Sequence, residues 1–209
     1  MADPFNVDFN IGIFGEGRVG KTCLIKRYVD DNFSEFEETS SNADAFEKTL
    51  TIDKTVVNLN IYDLPGQETY HQLAKNYMKG LNGVILVYDI ITKGTYEKID
   101  FWYEQMKEAL DNVNKIPFLL IGNKCDLEEN RVVTKEEGLK FVENKKNMIF
   151  YECSAKSGLN VEKAINELAA NILKCNRSTN EENPSNSGAE KKADDDNKGK
   201  KKKKKCYLF

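Results

Sequence analysis

The 209-residue chain is short of what metal centres, disulfide scaffolds and membrane spans are made from. It has one histidine, His71, which rules out a histidine-rich metal site. Its five cysteines (Cys23, Cys125, Cys153, Cys175 and Cys206) form no C-x-x-C pair and no metal-ligand spacing. An odd, scattered set of this kind reads as reduced thiols in a cytosolic protein. No apolar run approaches the ~20 residues needed to cross a bilayer. The opening MADPFNVDFN is too acidic and too polar for a secretory signal. What remains, at 40% hydrophobic residues, is enough for one globular core with an appendage.

The net charge of −3 conceals an asymmetry. Residues 176–209 carry ten Lys+Arg against six Asp+Glu, a charge of +4, and the remainder carries 21 against 28, a charge of −7. The acidic body argues against nucleic acid as the main partner, while the basic end suggests an anionic surface.

From about residue 5 to residue 175, β-like runs alternate with helical ones. Strands are expected over 7–14, 45–52, 55–62, 83–90, 117–123 and 148–154. Val57, Leu59 and Ile61 alternate with Asn58 and Asn60, the period of a half-exposed strand. GVILV and FLLIG are continuously apolar, as strands covered on both faces of a parallel sheet are. Helices are expected over 20–31, 70–79, 95–113, 134–146 and 160–175, the last with one apolar stripe of Val161, Ile165, Leu168, Ile172 and Leu173. A tight turn near 53–55 joins two antiparallel strands. The order predicts an α/β fold, a doubly wound, mostly parallel sheet with one antiparallel edge hairpin. After Cys175 bulky apolar residues disappear, so residues 176–209 are expected to be a flexible tail that cannot repay the entropy of ordering.

The strongest local signal is GEGRVGKT, Gly15 to Thr22, a G-x-x-x-x-G-K-[ST] phosphate loop placed after a strand and before a helix. Gly15, Gly17 and Gly20 let the backbone approach phosphate oxygens and turn its N–H groups inward, and the helix adds its positive dipole end. Lys21 offers a mobile charge to the β- and γ-phosphates, and the Thr22 hydroxyl can ligate Mg²⁺. Arg18, Val19 and Cys23 complete the expected nucleotide-contacting set; Arg18 reads either as a solvent-facing loop residue or as a γ-phosphate contact.

Asn123-Lys124-Cys125-Asp126 says which base to expect, because it ends a buried strand, where open α/β sheets bind ligands. The Asp126 carboxylate can accept from both N1–H and the 2-amino group of guanine. Adenine offers neither donor, so it would leave that carboxylate unpaired. Asn123 can tie this loop to the phosphate loop, and the Lys124 stem can lie along the base. Ser154-Ala155-Lys156 follows another strand, and a backbone N–H there could meet the guanine O6.

Together these motifs resemble the Ras-like small GTPases over residues 5–175, most closely the Rab branch in YMKGLNGVILVYDIITKGTYEKIDFW (77–102). The resemblance implies a six-stranded P-loop sheet with five helices, bound GTP or GDP with Mg²⁺, and two nucleotide-sensitive switch segments. It also implies that Phe33 stacks edge-on against the guanine, although a hydrophobe closing a helix end would pack on the body instead. The first switch lies between Phe33 and Asp44, with Ser40 at the position of a threonine that ligates Mg²⁺; Thr39 is its neighbour and competitor. In DLPGQE (63–68), Asp63 would hold the metal through a water, Gly66 would give its N–H to the γ-phosphate, and Gln67 would orient the attacking water. Gln67 and Lys21 are therefore the expected catalytic residues. The family pattern over 62–67 is Trp-Asp-Thr-Ala-Gly-Gln, so Tyr62, Leu64 and Pro65 depart from it. Pro65 narrows its own φ and biases Leu64 towards extended geometry, which predicts altered hydrolysis or exchange with nucleotide affinity retained. A slow intrinsic rate, helped by an activating protein, is expected from the resemblance. So are an exchange factor, effectors, and a GDP-dissociation inhibitor or escort.

Cys206-Tyr207-Leu208-Phe209 fits C-a-a-X, and a terminal phenylalanine favours geranylgeranylation of Cys206. Lys200 to Lys205 supply the second, electrostatic signal that a single lipid needs for stable anchoring. The expected place is thus the cytoplasmic face of a membrane, with a cytosolic pool. The leading function is a membrane-anchored, GTP-hydrolysing switch in vesicle traffic. The alternatives are a GTP-binding switch with negligible turnover and a Ras- or Rho-like signalling GTPase; a P-loop ATPase or kinase is opposed by Asp126.

Overall fold

A computed structural model of the chain describes residues 6–35, 44–63, 78, 80–110 and 113–182, with side chains as far as residue 178. Six strands form one sheet: β1 (Asn6–Phe14), β2 (Asp44–Ile52), β3 (Thr55–Asp63), β4 (Gly83–Asp89), β5 (Phe118–Asn123) and β6 (Met148–Glu152). Their order is β2-β3-β1-β4-β5-β6, parallel throughout except for the β2–β3 pair. The β2–β3 hairpin closes on Asp53 and Lys54, both at positive φ (47° and 65°), the two-residue turn whose twist matches its strands.

The expected periodicities decide which faces are buried. Val57, Leu59 and Ile61 of β3 enter the core, while Asn58 and Asn60 point the other way and donate to Asp8 and Asn10 of β1. Every residue of β4 and β5 is buried, because helices cover both faces at the centre of the sheet. One face carries α1 (Lys21–Asp30) and α5 (Val161–Glu182), and their apolar side chains pack on Ile11, Ile13, Ile85 and Ile121. The other face carries α3 (Ile99–Ala109) and α4 (Lys135–Glu143), packing on Phe14, Leu86, Tyr88 and Leu120. A short α2 (Lys93–Glu97) precedes α3, making five α-helices among the described residues.

Three helices differ from expectation. The run expected over 95–113 starts at Lys93, is interrupted at Lys98 and stops at Ala109. Lys98 keeps a helical backbone and still bonds to Gly94 and from Trp102, so the rod continues through the break. Leu110 then turns extended and buries its side chain, which ends the helix. The helix expected over 134–146 closes earlier, at Glu143, and begins with a Thr134–Glu137 capping box. Finally, α5 runs past the expected end at residue 175 to Glu182. Arg177 fastens that extension to the β2–β3 hairpin through Thr55 Oγ1 (3.0 Å) and Asp53 (3.6 Å). The helix expected over 70–79 lies outside the described residues apart from Met78.

Candidate functional site

The site lies at the C-terminal ends of β1, β4 and β5 and the turn after β6, where a doubly wound sheet places its ligands. The phosphate loop leaves β1 at Gly15, whose φ of 143° and contact with β4 exclude any side chain: a Cβ there would stand 2.2 Å from the Val87 carbonyl oxygen. Gly20 (φ 91°) precedes α1, and a Cβ there would meet Asn123 Nδ2 at 2.5 Å. Among the described residues nothing lies within 4 Å of where a Gly17 Cβ would stand. Among the described residues no side chain caps α1, and the first turn of such a helix is an anion-binding end.

Lys21 is only 7% exposed, and its Nζ donates to the carbonyls of Gly15 and Glu16, both at 2.9 Å. Burial lowers its pKa from the ordinary lysine value, and the Asp63 and Glu16 carboxylates oppose that shift. The ammonium is thus buried and held by two carbonyls of its own loop. Thr22 Oγ1 donates to Asp63 Oδ2 at 2.5 Å, across from the end of β3. A hydroxyl and a fully buried carboxylate side by side are a hard-oxygen pair suited to Mg²⁺. Among the described residues no group of three or more His, Cys, Asp or Glu side chains could hold a metal ion, so an ion there would complete its shell with other oxygens.

The base-side loops are joined to this loop through side chains. Asn123 is buried at the end of β5, donates from Nδ2 to the Val19 carbonyl (2.8 Å) and accepts at Oδ1 from the Ala155 N–H (3.2 Å). One amide thus reaches the phosphate loop, the tie expected of it, and also the Ser154–Lys156 loop, which was not expected. Lys124, at φ 66°, donates to the Arg18 carbonyl and to Asp89 Oδ2, both at 2.9 Å. Asp126 is exposed and is oriented by Ser154, whose hydroxyl donates to Asp126 Oδ1 at 2.6 Å while accepting from the Ser157 N–H. Lys156 lies on the surface in an ion pair with Glu35 at 2.6 Å. Phe33 is half-buried against the core cluster under α1, and Cys23 is half-buried beside it.

Several contributors gave no sequence motif. Asp89 closes β4, is buried, and holds Lys124; its only signal is a carboxylate ending an otherwise apolar strand. Arg27, in the last turn of α1, donates from Nε to the Ala155 carbonyl and from Nη2 to the Lys156 carbonyl, each at 2.9 Å. Arg131 bolts the 3₁₀ turn Cys125–Asn130 to β6 by pairing with Glu128 and Glu152, and these carboxylates raise its pKa. Ser40, Thr39, Leu64, Pro65, Gly66, Gln67 and His71 lie outside the described residues, as do Lys200–Lys205 and Cys206.

Comparison with known proteins agrees with this arrangement. The family model described as "Ras family" matches residues 10–174. Ras-related protein Rab-13 of Mesocricetus auratus is 37% identical over 191 residues, covering 90% of this chain and 92% of its own. Ras-related protein Rab-8B of Bos taurus is 35% identical over 190 residues, 90% of each chain. Ras-related protein Rab-7a of Dictyostelium discoideum is 34% identical over 176 residues, 83% of this chain and 87% of its own. With matches of one kind spanning this much of each chain, on a sheet of the expected order, the protein belongs to the Ras family as a Rab-type small GTPase, a nucleotide-operated switch of vesicle traffic.

Proposed function

We propose that the chain binds GTP and GDP between Gly15–Cys23 on one side and Asn123–Asp126 with Ser154–Lys156 on the other, and hydrolyses GTP while anchored to a membrane. The observation that carries this reading is the Asn123 amide, which bonds both flanking loops and so puts phosphate- and base-contacting groups in one cleft. Asp126 accepts from the guanine N1–H and 2-amino group, and Lys124 lies along the base. Phe33 stacks edge-on against the guanine. Lys21 and the α1 end hold the β- and γ-phosphates. Bound at Thr22, at Ser40 and, through water, at Asp63, magnesium would neutralise charge on the phosphate oxygens. Gly66 donates to the γ-phosphate, and Gln67 aligns the attacking water. Arg18 and Val19 contribute backbone to the phosphate cradle.

Geranylgeranylation at Cys206 together with Lys200–Lys205 anchors the chain to an anionic cytoplasmic leaflet. An exchange factor, an activating protein, effectors and an escort that masks the lipid complete the cycle. Among the described residues no helix is long and apolar enough to cross a membrane. A second reading, a GTP-binding switch with negligible turnover, is favoured by Pro65 within DLPGQE. Identification of the co-purifying nucleotide and a single-turnover time course on the full chain, wild type and Pro65→Ala, test both readings. The first expects bound GDP and measurable turnover in each; bound GTP without turnover in wild type would favour the second. ADP in place of either guanine nucleotide contradicts both.

A further inference from the structure

We propose that Glu16 is a positioning residue, which holds the phosphate loop to α3 through Trp102 and thereby sets the rate of nucleotide release. The inference rests on reading Gly15–Thr22 as the phosphate site. Trp102 is 3% exposed, packed against Phe14 with ring centroids 6.2 Å apart, and its Nε1–H donates to Glu16 Oε1 at 3.1 Å. The same residue's backbone carbonyl accepts from Lys21 Nζ at 2.9 Å. The side chain of Glu16 is thus pinned to a buried indole while its main chain seats the lysine that meets phosphate.

The loop is held from two sides. Lys124 and Asn123 hold the Arg18 and Val19 carbonyls on the base side, and Trp102 holds Glu16 on the α3 side. Between these holds, a Cβ at Gly17 would meet nothing within 4 Å among the described residues. Release of the α3 hold has two consequences. The Gly15–Gly17 segment gains conformations that must be frozen again when phosphate binds, which weakens the complex. The Glu16 carboxylate, whose field already reaches Lys21, is also freed to compete with phosphate for that ammonium.

Release of a fluorescent N-methylanthraniloyl-GDP from the full chain tests the proposal in wild type, Glu16→Ala, Glu16→Gln, Trp102→Phe, the Glu16→Ala/Trp102→Phe double variant and a Lys21→Ala control. Each of Glu16→Ala and Trp102→Phe should speed release about fivefold, the size of one ordinary net hydrogen bond. The double variant should release no faster than the faster single one, and Glu16→Gln, whose amide oxygen still accepts, should stay within about twofold of wild type. Single-variant factors that multiply in the double, or wild-type release in both singles, would overturn the coupling. Should Trp102→Phe not fold, Glu16→Ala decides alone. Faster release with a shifted emission from Trp102, the chain's one tryptophan, supports the proposal, and the absence of either change overturns it. If Lys21→Ala holds the nucleotide as wild type does, the phosphate-site reading itself fails. If Lys21→Ala loses nucleotide while Glu16→Ala releases at the wild-type rate, only the role of Glu16 fails.

Discussion

The phosphate side and the base side of the cleft are built by different means. Lys21 bonds carbonyls five and six positions before it, and the glycines, strand and helix that shape its loop are contiguous in sequence. On the base side, Asn123 reaches a carbonyl 104 positions away, and Arg27 reaches carbonyls 128 and 129 positions away. The phosphate loop takes its shape from local backbone geometry, and only its tethers from Asn123, Lys124 and Trp102 come from distant segments. A pocket assembled from distant segments depends on each side chain that joins them. The base side should therefore be the more easily disturbed, by residues that never touch the ligand.

Asn123→Ala is the largest expected break, since it removes both buried bonds that join the two sides. GDP affinity measured by displacement should fall roughly 100-fold, equivalent to about 3 kcal/mol. Arg27→Ala removes the α1 clasp on the Ala155 and Lys156 carbonyls and should speed GDP release about tenfold. The melting temperature of the GDP-loaded protein separates that effect from general loss of fold. Asp89→Asn keeps the shape of the buried side chain and weakens its hold on Lys124, so a smaller loss of GDP affinity, about fivefold, should appear in the same displacement measurement. The smallest effect has the opposite sign. The Tyr88 hydroxyl is buried in the core and has no hydrogen-bond partner among the described residues, so Tyr88→Phe should raise the melting temperature by a few degrees, about 1 kcal/mol.

The same contrast explains what was legible in the sequence. The phosphate loop, the alternation in β3 and the apolar runs of β4 and β5 are short-range patterns, and each expected strand falls within two residues of its observed bounds. The stop at Ala109 was not legible, because it follows from the burial of Leu110, which is a tertiary fact. Likewise, α5 extends through polar residues that form no apolar stripe, and Arg177 docks the extension on the distant hairpin. In the site, Asp126, Lys124 and Asn123 were legible as a motif. Asp89, Arg27 and the Arg131–Glu152 pair were not, since nothing in a linear reading places α1 beside residues 155–156 or the 3₁₀ turn beside β6.

In the proposed site the choice of base rests on Asp126. The decisive measurement is the affinity of wild type and Asp126→Asn for GDP and for xanthosine diphosphate, whose C2 carbonyl needs a donor where guanine offers one. Wild type should prefer GDP. Asp126→Asn should lose GDP affinity by at least about 100-fold and prefer xanthosine diphosphate, as a carboxamide donor now faces the carbonyl. An Asp126→Asn variant that still preferred GDP would contradict the account.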